Sequence, residues 1–176
     1  MSLNDLAKQL ESYRHAPTEK WDPPYCGEIP MLIDEHGQWL YQGSPITRTA
    51  LVKLFASVLV CESGEYFLVT PAEKVKIAVA DAPFMIVDWK FHDYEGETVI
   101  QVVTNIDERY ILNEQLLSFV KDGVPYFELP TGLTAKVHRN VFYQWVEIAQ
   151  QRELPDVTEL FLHSAGQDFV IGRLAN

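Results

Sequence analysis

Arg48-Thr49-Ala50-Leu51-Val52-Lys53-Leu54-Phe55 has a counterpart in Arg139-Asn140-Val141-Phe142-Tyr143-Gln144-Trp145-Val146. In both stretches an arginine is followed three, six and seven places later by apolar residues, the spacing of one helical face. A second match lies behind each: Glu65-Tyr66-Phe67-Leu68-Val69-Thr70-Pro71, then Glu159-Leu160-Phe161-Leu162-His163-Ser164-Ala165. A helix followed by a strand therefore occurs twice in the same order. Two similar units in tandem create a seam, and seams are where small ligands commonly bind.

Outward from these stretches the pattern is mostly that of strands. Ile29–Asp34 and Gln38–Tyr41 flank a turn at Glu35-His36-Gly37. Ser44 and Pro45 suit the cap and first position of the first helix, whose stripe Leu51, Leu54, Phe55, Val58, Leu59 runs to about Cys61. Thr70-Pro71-Ala72-Glu73 fits a capping box and one helical turn before the alternating strand Val75, Ile77, Val79. Phe84–Phe91 and Thr98–Thr104 read as strands around Tyr94-Glu95-Gly96-Glu97, and Asp122-Gly123 is a strong hairpin signal. The second helix carries Phe142, Trp145, Val146 and Ala149 on one face and ends at Leu154-Pro155; a last hairpin turns at Ser164-Ala165-Gly166-Gln167. Leu3, Leu6, Ala7, Leu10 and Tyr13 predict a short N-terminal helix, followed by an arm containing Pro17, Pro23 and Pro24. Trp39, Trp89 and Trp145 read as core.

The expected fold is α+β. It has two tandem repeats, each a curved antiparallel, half-barrel-like sheet packed on one helix, with the short N-terminal helix in front. The expected divisions are an N-terminal helix and arm over 1–24, a first repeat over 25–105 and a second over 106–176. Tight turns between the strands argue against a parallel sheet.

Composition narrows the function. The chain has 176 residues, 47% of them hydrophobic, enough for a sizeable core. Fourteen Lys and Arg against 25 Asp and Glu give a net charge of −11, which repels phosphate backbones and anionic membrane surfaces. No nucleic-acid or membrane partner is expected. Two cysteines without CxxC spacing, and no visible signal peptide, predict a cytoplasmic protein with reduced thiols. The five histidines, at 15, 36, 92, 138 and 163, are scattered, and no metal site or cofactor is expected. No nucleophile elbow, phosphate loop or dinucleotide fingerprint is present.

Arg48 and Arg139 each stand at the first turn of a helix, where a cation opposes the helix dipole. A placement so unfavourable, made twice, has two readings: salt bridging to nearby carboxylates, or holding an acidic ligand beside helix N-terminal amides.

Cys26-Gly27-Glu28-Ile29, Trp39–Ile46 with Arg48, Tyr66–Val75, Asp81-Ala82-Pro83-Phe84 and Thr104-Asn105 together resemble a bacterial family known as domain of unknown function 1285. Gly132-Leu133 and Val141-Phe142-Tyr143 match more loosely. The resemblance implies a two-repeat, helix-plus-half-barrel fold and a role in sensing or signal transduction through a small ligand.

The resulting expectation is a cytoplasmic small-molecule-binding or regulatory protein, more a binder than an enzyme, with its ligand at the seam between repeats. Arg48, Lys74, Thr104, Asn105 and Arg139 are the candidate contacts, the cations orienting an acidic group. One alternative is a hydrolase or isomerase using Asp81, Asp107 or His92; another is a protein-interaction module without a ligand. Edge strands leave a homodimer open.

Overall fold

The computed structural model describes residues 16–176, so the helix expected over residues 3–13 lies outside the described residues. Two compact units divide after Asp81. Phe84–Tyr94 and Glu97–Thr104 thus fall in the second unit, although the sequence had suggested a first repeat running to residue 105.

In the first unit a one-turn 3-10 helix, Thr18–Lys20, precedes three consecutive antiparallel strands, β1 (Tyr25–Ile33), β2 (Trp39–Tyr41) and β3 (Ser44–Pro45). Helix α1 (Thr49–Ala56) leads to a second such meander of β4 (Leu59–Glu62), β5 (Glu65–Val69) and β6 (Lys74–Val79). The six strands lie in the order β3-β2-β1-β6-β5-β4, so the first and last strands meet in the middle as a parallel pair.

The second unit repeats this order. Strands β7 (Phe84–Tyr94), β8 (Glu97–Thr104) and β9 (Arg109–Ile111) form one meander, and β10 (Leu117–Lys121), β11 (Val124–Glu128) and β12 (Thr134–Val137) the next. Their sheet reads β10-β11-β12-β7-β8-β9, again with first and last strands parallel at its centre. Helix α2 (Arg139–Ile148) then leads to a fifth meander, β13 (Gln150–Glu153), β14 (Val157–Ser164) and β15 (Gln167–Ala175). The expectation of purely antiparallel sheets is therefore corrected: each large sheet is mixed. The helices α1 and α2 do occupy matching places, each joining one meander to another, and Glu65 and Glu159 both lie on the middle strand of the meander that follows.

Turn chemistry explains why meanders form. Each contains one two-residue turn of the form X-Gly with both residues at positive φ: Gln42-Gly43, Ser63-Gly64, Glu95-Gly96, Asp122-Gly123 and Ala165-Gly166. That geometry matches the right-handed twist of the flanking strands. Three of the remaining hairpins share a three-residue loop ending in a left-handed residue, Gly37, Asp107 or Gly132.

Several local expectations are displaced. Ser44 and Pro45 form β3 instead of capping α1; Arg48 takes the cap position without a side-chain cap. The helix stops at Ala56, because Val58-Leu59-Val60-Cys61 turns at Ser63-Gly64 and pairs with β5. Cys61 is exposed. The Thr70 hydroxyl does accept from the Ala72 and Glu73 amides, but it closes a hairpin turn and starts no helix. Helix α2 ends at Ile148, and Gln150–Glu153 is strand; its buried face is Val141 and Trp145, with Val146 exposed.

The cores follow from the alternation. Ile33, Trp39, Phe55, Leu68 and Ile77 are buried in the first unit, where Phe55 of α1 stacks on Trp39 at 6.4 Å. In the second, Ile86, Ile100, Phe127, Trp145 and Ile171 are buried, and Trp145 meets Phe127 edge to face at 6.0 Å. Trp89 leans on Trp145 and donates from its indole N–H to Gln144 Oε1 at 2.7 Å. One polar tie crosses this core. The fully buried Ser164 hydroxyl accepts from the Ile100 amide and donates to the Leu112 carbonyl, both at 2.8 Å, joining the fifth meander to β8. Replacing Ser164 by Ala strands a buried donor and a buried acceptor, so we expect a loss of about 2–3 kcal/mol in urea unfolding. A loss below about 0.5 kcal/mol, the scale of an ordinary surface substitution, would contradict that role.

Candidate functional site

The expected contacts fall in different environments. Arg48 and Arg139 are both exposed, but they are not equivalent: Arg48 is the N-cap of α1, whereas Arg139 is the first residue of α2, whose cap is His138, accepting through Nδ1 from the Asn140 amide at 3.1 Å. Thr104 is buried and its hydroxyl accepts from the Glu108 amide at 3.2 Å. Asn105 clamps β7: its Oδ1 accepts from the Met85 amide at 3.0 Å and its own amide donates to the Met85 carbonyl at 2.8 Å. These two side chains hold a strand junction together. Arg48 and Lys74 belong to the first unit, and Thr104, Asn105 and Arg139 to the second.

Lys74 stands in a cleft of about 300 Å³ with Tyr25, Glu65, Phe67 and Lys76. The sheet register makes this group. Tyr25 on β1 is aligned with Lys74 on β6, and Lys76, two residues on and so on the same face, is aligned with Phe67 on β5. Glu62 and Glu65 are partners across the Ser63-Gly64 turn. Lys74 Nζ binds Glu62 and sits 4.5 Å above the centre of the Phe67 ring. Lys76 Nζ binds Glu65 Oε1 at 2.9 Å. Tyr25, half exposed, approaches Phe67 edge-on at 6.1 Å. The hydrogen bond and charge of Glu65 raise the Lys76 pKa above its ordinary value, so the Lys76 ammonium stays charged at neutral pH. Two lysines whose Cα atoms are about 6.6 Å apart along one strand face, one of them over a ring and beside another, can take an acid that carries a ring of its own.

Other clefts have other characters. One of about 530 Å³ gathers Glu95, Glu97 and Glu114, a sign of charge that repels acids. Two residues of the catalytic alternative lie at opposite ends of β8 in the second unit: His92 pairs with Val99 near its start, and Asp107 follows its last residue, Thr104. Asp107 is exposed at positive φ, 3.7 Å from Arg109, and His92 is exposed on β7. The fifth meander carries an ion network that the sequence pattern did not flag. Asp168 lies 2.8 Å from His163 and 3.5 Å from Arg152, and Glu159 lies 3.2 Å from Arg173. His163 and Asp168 are direct cross-strand partners, an ordinary sheet pairing. Among the described residues no group of three His, Cys, Asp or Glu is placed to hold a metal ion, and no helix is long and apolar enough to cross a membrane.

The division of the chain matches a division among known proteins. The family model for the N-terminal domain of DUF1285, a domain of unknown function, fits residues 16–82, and that for its C-terminal domain fits residues 83–171. The chain belongs to the DUF1285 family. A crystal structure of a DUF1285 family protein from Silicibacter pomeroyi DSS-3 is 32% identical, with a TM-score of 0.84 over 98% of this chain and 96% of that one. A DUF1285 family protein from Shewanella baltica OS155 is 34% identical, with a TM-score of 0.57 over 68% of this chain and 91% of its own. No curated protein matches the chain. The two DUF1285 domains meet within two residues of the point where the compact units divide.

Tyr110, on the edge strand β9, also has a displaced titration. Burial raises its phenol pKa first, and donation to Glu108 Oε2 at 2.7 Å raises it further. Because the folded value is raised, the stabilisation is fully present below the unfolded value of about 10 and is lost as pH rises through the folded one. The stability gap between wild type and Tyr110→Phe should therefore shrink above pH ~10, and one phenol should ionise late by phenolate absorbance. A gap that is unchanged across that range would contradict the assignment.

Proposed function

We propose that this DUF1285 protein is a non-catalytic regulatory protein of the cytoplasm that binds a small acidic metabolite carrying a ring, in the cleft at Lys74 and Lys76. The observation that carries the reading is the juxtaposition of two lysine ammonium groups with the Phe67 and Tyr25 rings on one sheet face. The acid group would sit between the lysines, and its ring would lie against Tyr25. Glu62 and Glu65 hold the lysines ready in the free protein and must yield to the ligand, which makes binding weak and salt-sensitive. Weak, reversible occupancy suits a sensor better than a storage site. The net charge of −11 supports a metabolite over nucleic acid as partner.

The test is thermal unfolding with benzoate and phenyl phosphate, and with benzyl alcohol as the neutral control. The acids should raise Tm, by about 2.7 kcal/mol of stabilisation at a hundredfold excess over Kd. The double variant Lys74→Ala/Lys76→Ala should lose that response while its own stability changes by no more than about 1 kcal/mol, since exposed ion pairs contribute little. No shift with either acid, an equal shift with benzyl alcohol, or an undiminished shift in the double variant would overturn the reading.

A further inference from the structure

Helix α2 lies against β7 and β14 and buries Val141 and Trp145. At ~100° per residue, the opposite side of the helix is a stripe through Arg139, Phe142, Tyr143, Val146 and Glu147. The middle of this stripe is apolar and open. Tyr143 is 59% exposed and Val146 41%, and Phe142 is half-buried with its ring 6.3 Å from that of Tyr143. Helix α1 is built differently. Counted from the caps, Arg48 and His138, it carries the exposed Lys53 where α2 carries Tyr143.

The charges at the two ends of the stripe oppose their own helix. Arg139 is the first residue of α2, at the positive end of the dipole, and Glu147 is the last but one, at the negative end. The first turn has no acid and the last turn no base to offset them. Both side chains are exposed, and among the described residues neither has an ion-pair partner. One arrangement turns both placements favourable. Tyr143 stands four residues from each charge, midway along the ~12 Å between them. When a second α2 is set antiparallel about a two-fold axis at Tyr143, Arg139 of each copy meets Glu147 of the other. Each charge then also lies at the end of the neighbouring helix that attracts it. A parallel copy would set Arg139 against Arg139 and Glu147 against Glu147.

We propose that α2 is a homodimerisation surface, pairing antiparallel with α2 of a second copy of this chain, with Tyr143 against Tyr143 at the axis and Arg139 to Glu147 on either side. An aromatic at the centre with charges at the rim is the usual anatomy of an interface. The stripe is short, however. Two ten-residue helices in contact bury well under the ~1,600 Å² of a standard interface, so the dimer is weak and forms at high protein concentration. The lysine cleft lies in the other unit, and this inference does not rest on it.

Sedimentation equilibrium of the full chain over a wide concentration range is the test. The apparent mass should climb from that of one chain toward that of two. Arg139→Glu alone and Glu147→Arg alone each bring like charges together at both contacts, and each should raise the dimer Kd about tenfold, the effect of losing two exposed pairs. Mixed in equal amounts, these two variants should associate as well as wild type, because acid then faces base at both contacts of the mixed pair. Tyr143→Ala should abolish association. All three positions are exposed, so the variants keep the fold. A wild type that stays monomeric at the highest concentration, single variants that associate undiminished, or a mixture that binds no tighter than its components would overturn the proposal.

Discussion

The parallel ladder between the first and last strands of a pair of meanders is the constraint on which the rest of the architecture depends. A lone three-stranded meander has two open edges and little to bury. Pairing β1 with β6, and β7 with β12, turns two such meanders into one six-stranded sheet with the joined strands at its centre. Val75 and Ile77 on β6 and Ala135 and Val137 on β12 are buried for this reason. The same pairing sets the lysine cleft, because Tyr25 reaches Lys74 only across the β1–β6 join.

Local features of the fold were legible in the sequence, and long-range ones were not. Asp122-Gly123 and Ala165-Gly166 are turns whose residues demand positive φ, so their hairpins could be read directly. The recurrence of a helix followed by strands was legible too, because its apolar spacing repeats. The parallel joins leave no local signal: Leu32 and Ala78 are register partners 46 positions apart, and nothing in either residue names the other. Helix ends were misjudged where apolar runs continue past the helix. Val58-Leu59-Val60-Cys61 satisfies a helical stripe and a buried strand equally well, and the Ser63-Gly64 turn decides for the strand.

The candidate contacts divide along the same line. Thr104 and Asn105 stood out through family resemblance, and their side chains close a strand junction by accepting from backbone amides. Lys74 stood out in the same way, and its surroundings suit a ligand because the register adds Lys76, Phe67 and Tyr25 beside it. Those three gave no signal of their own: a lysine and two aromatics on alternating strands are what any half-buried sheet contains. Arg48 and Arg139 resemble each other in sequence yet occupy different positions at their helix starts, because His138 takes the capping role for α2.

The most direct test of the parallel join is a disulfide across it. Leu32 and Ala78 are register partners on β1 and β6, so Leu32→Cys/Ala78→Cys, with Cys26 and Cys61 replaced by Ser, places two thiols within bridging distance. The parallel join predicts that this pair oxidises readily in the folded protein and raises Tm, whereas Leu32→Cys/Lys74→Cys, four residues out of register, stays reduced. Failure of the first pair to close, or equal closure of both, would contradict it.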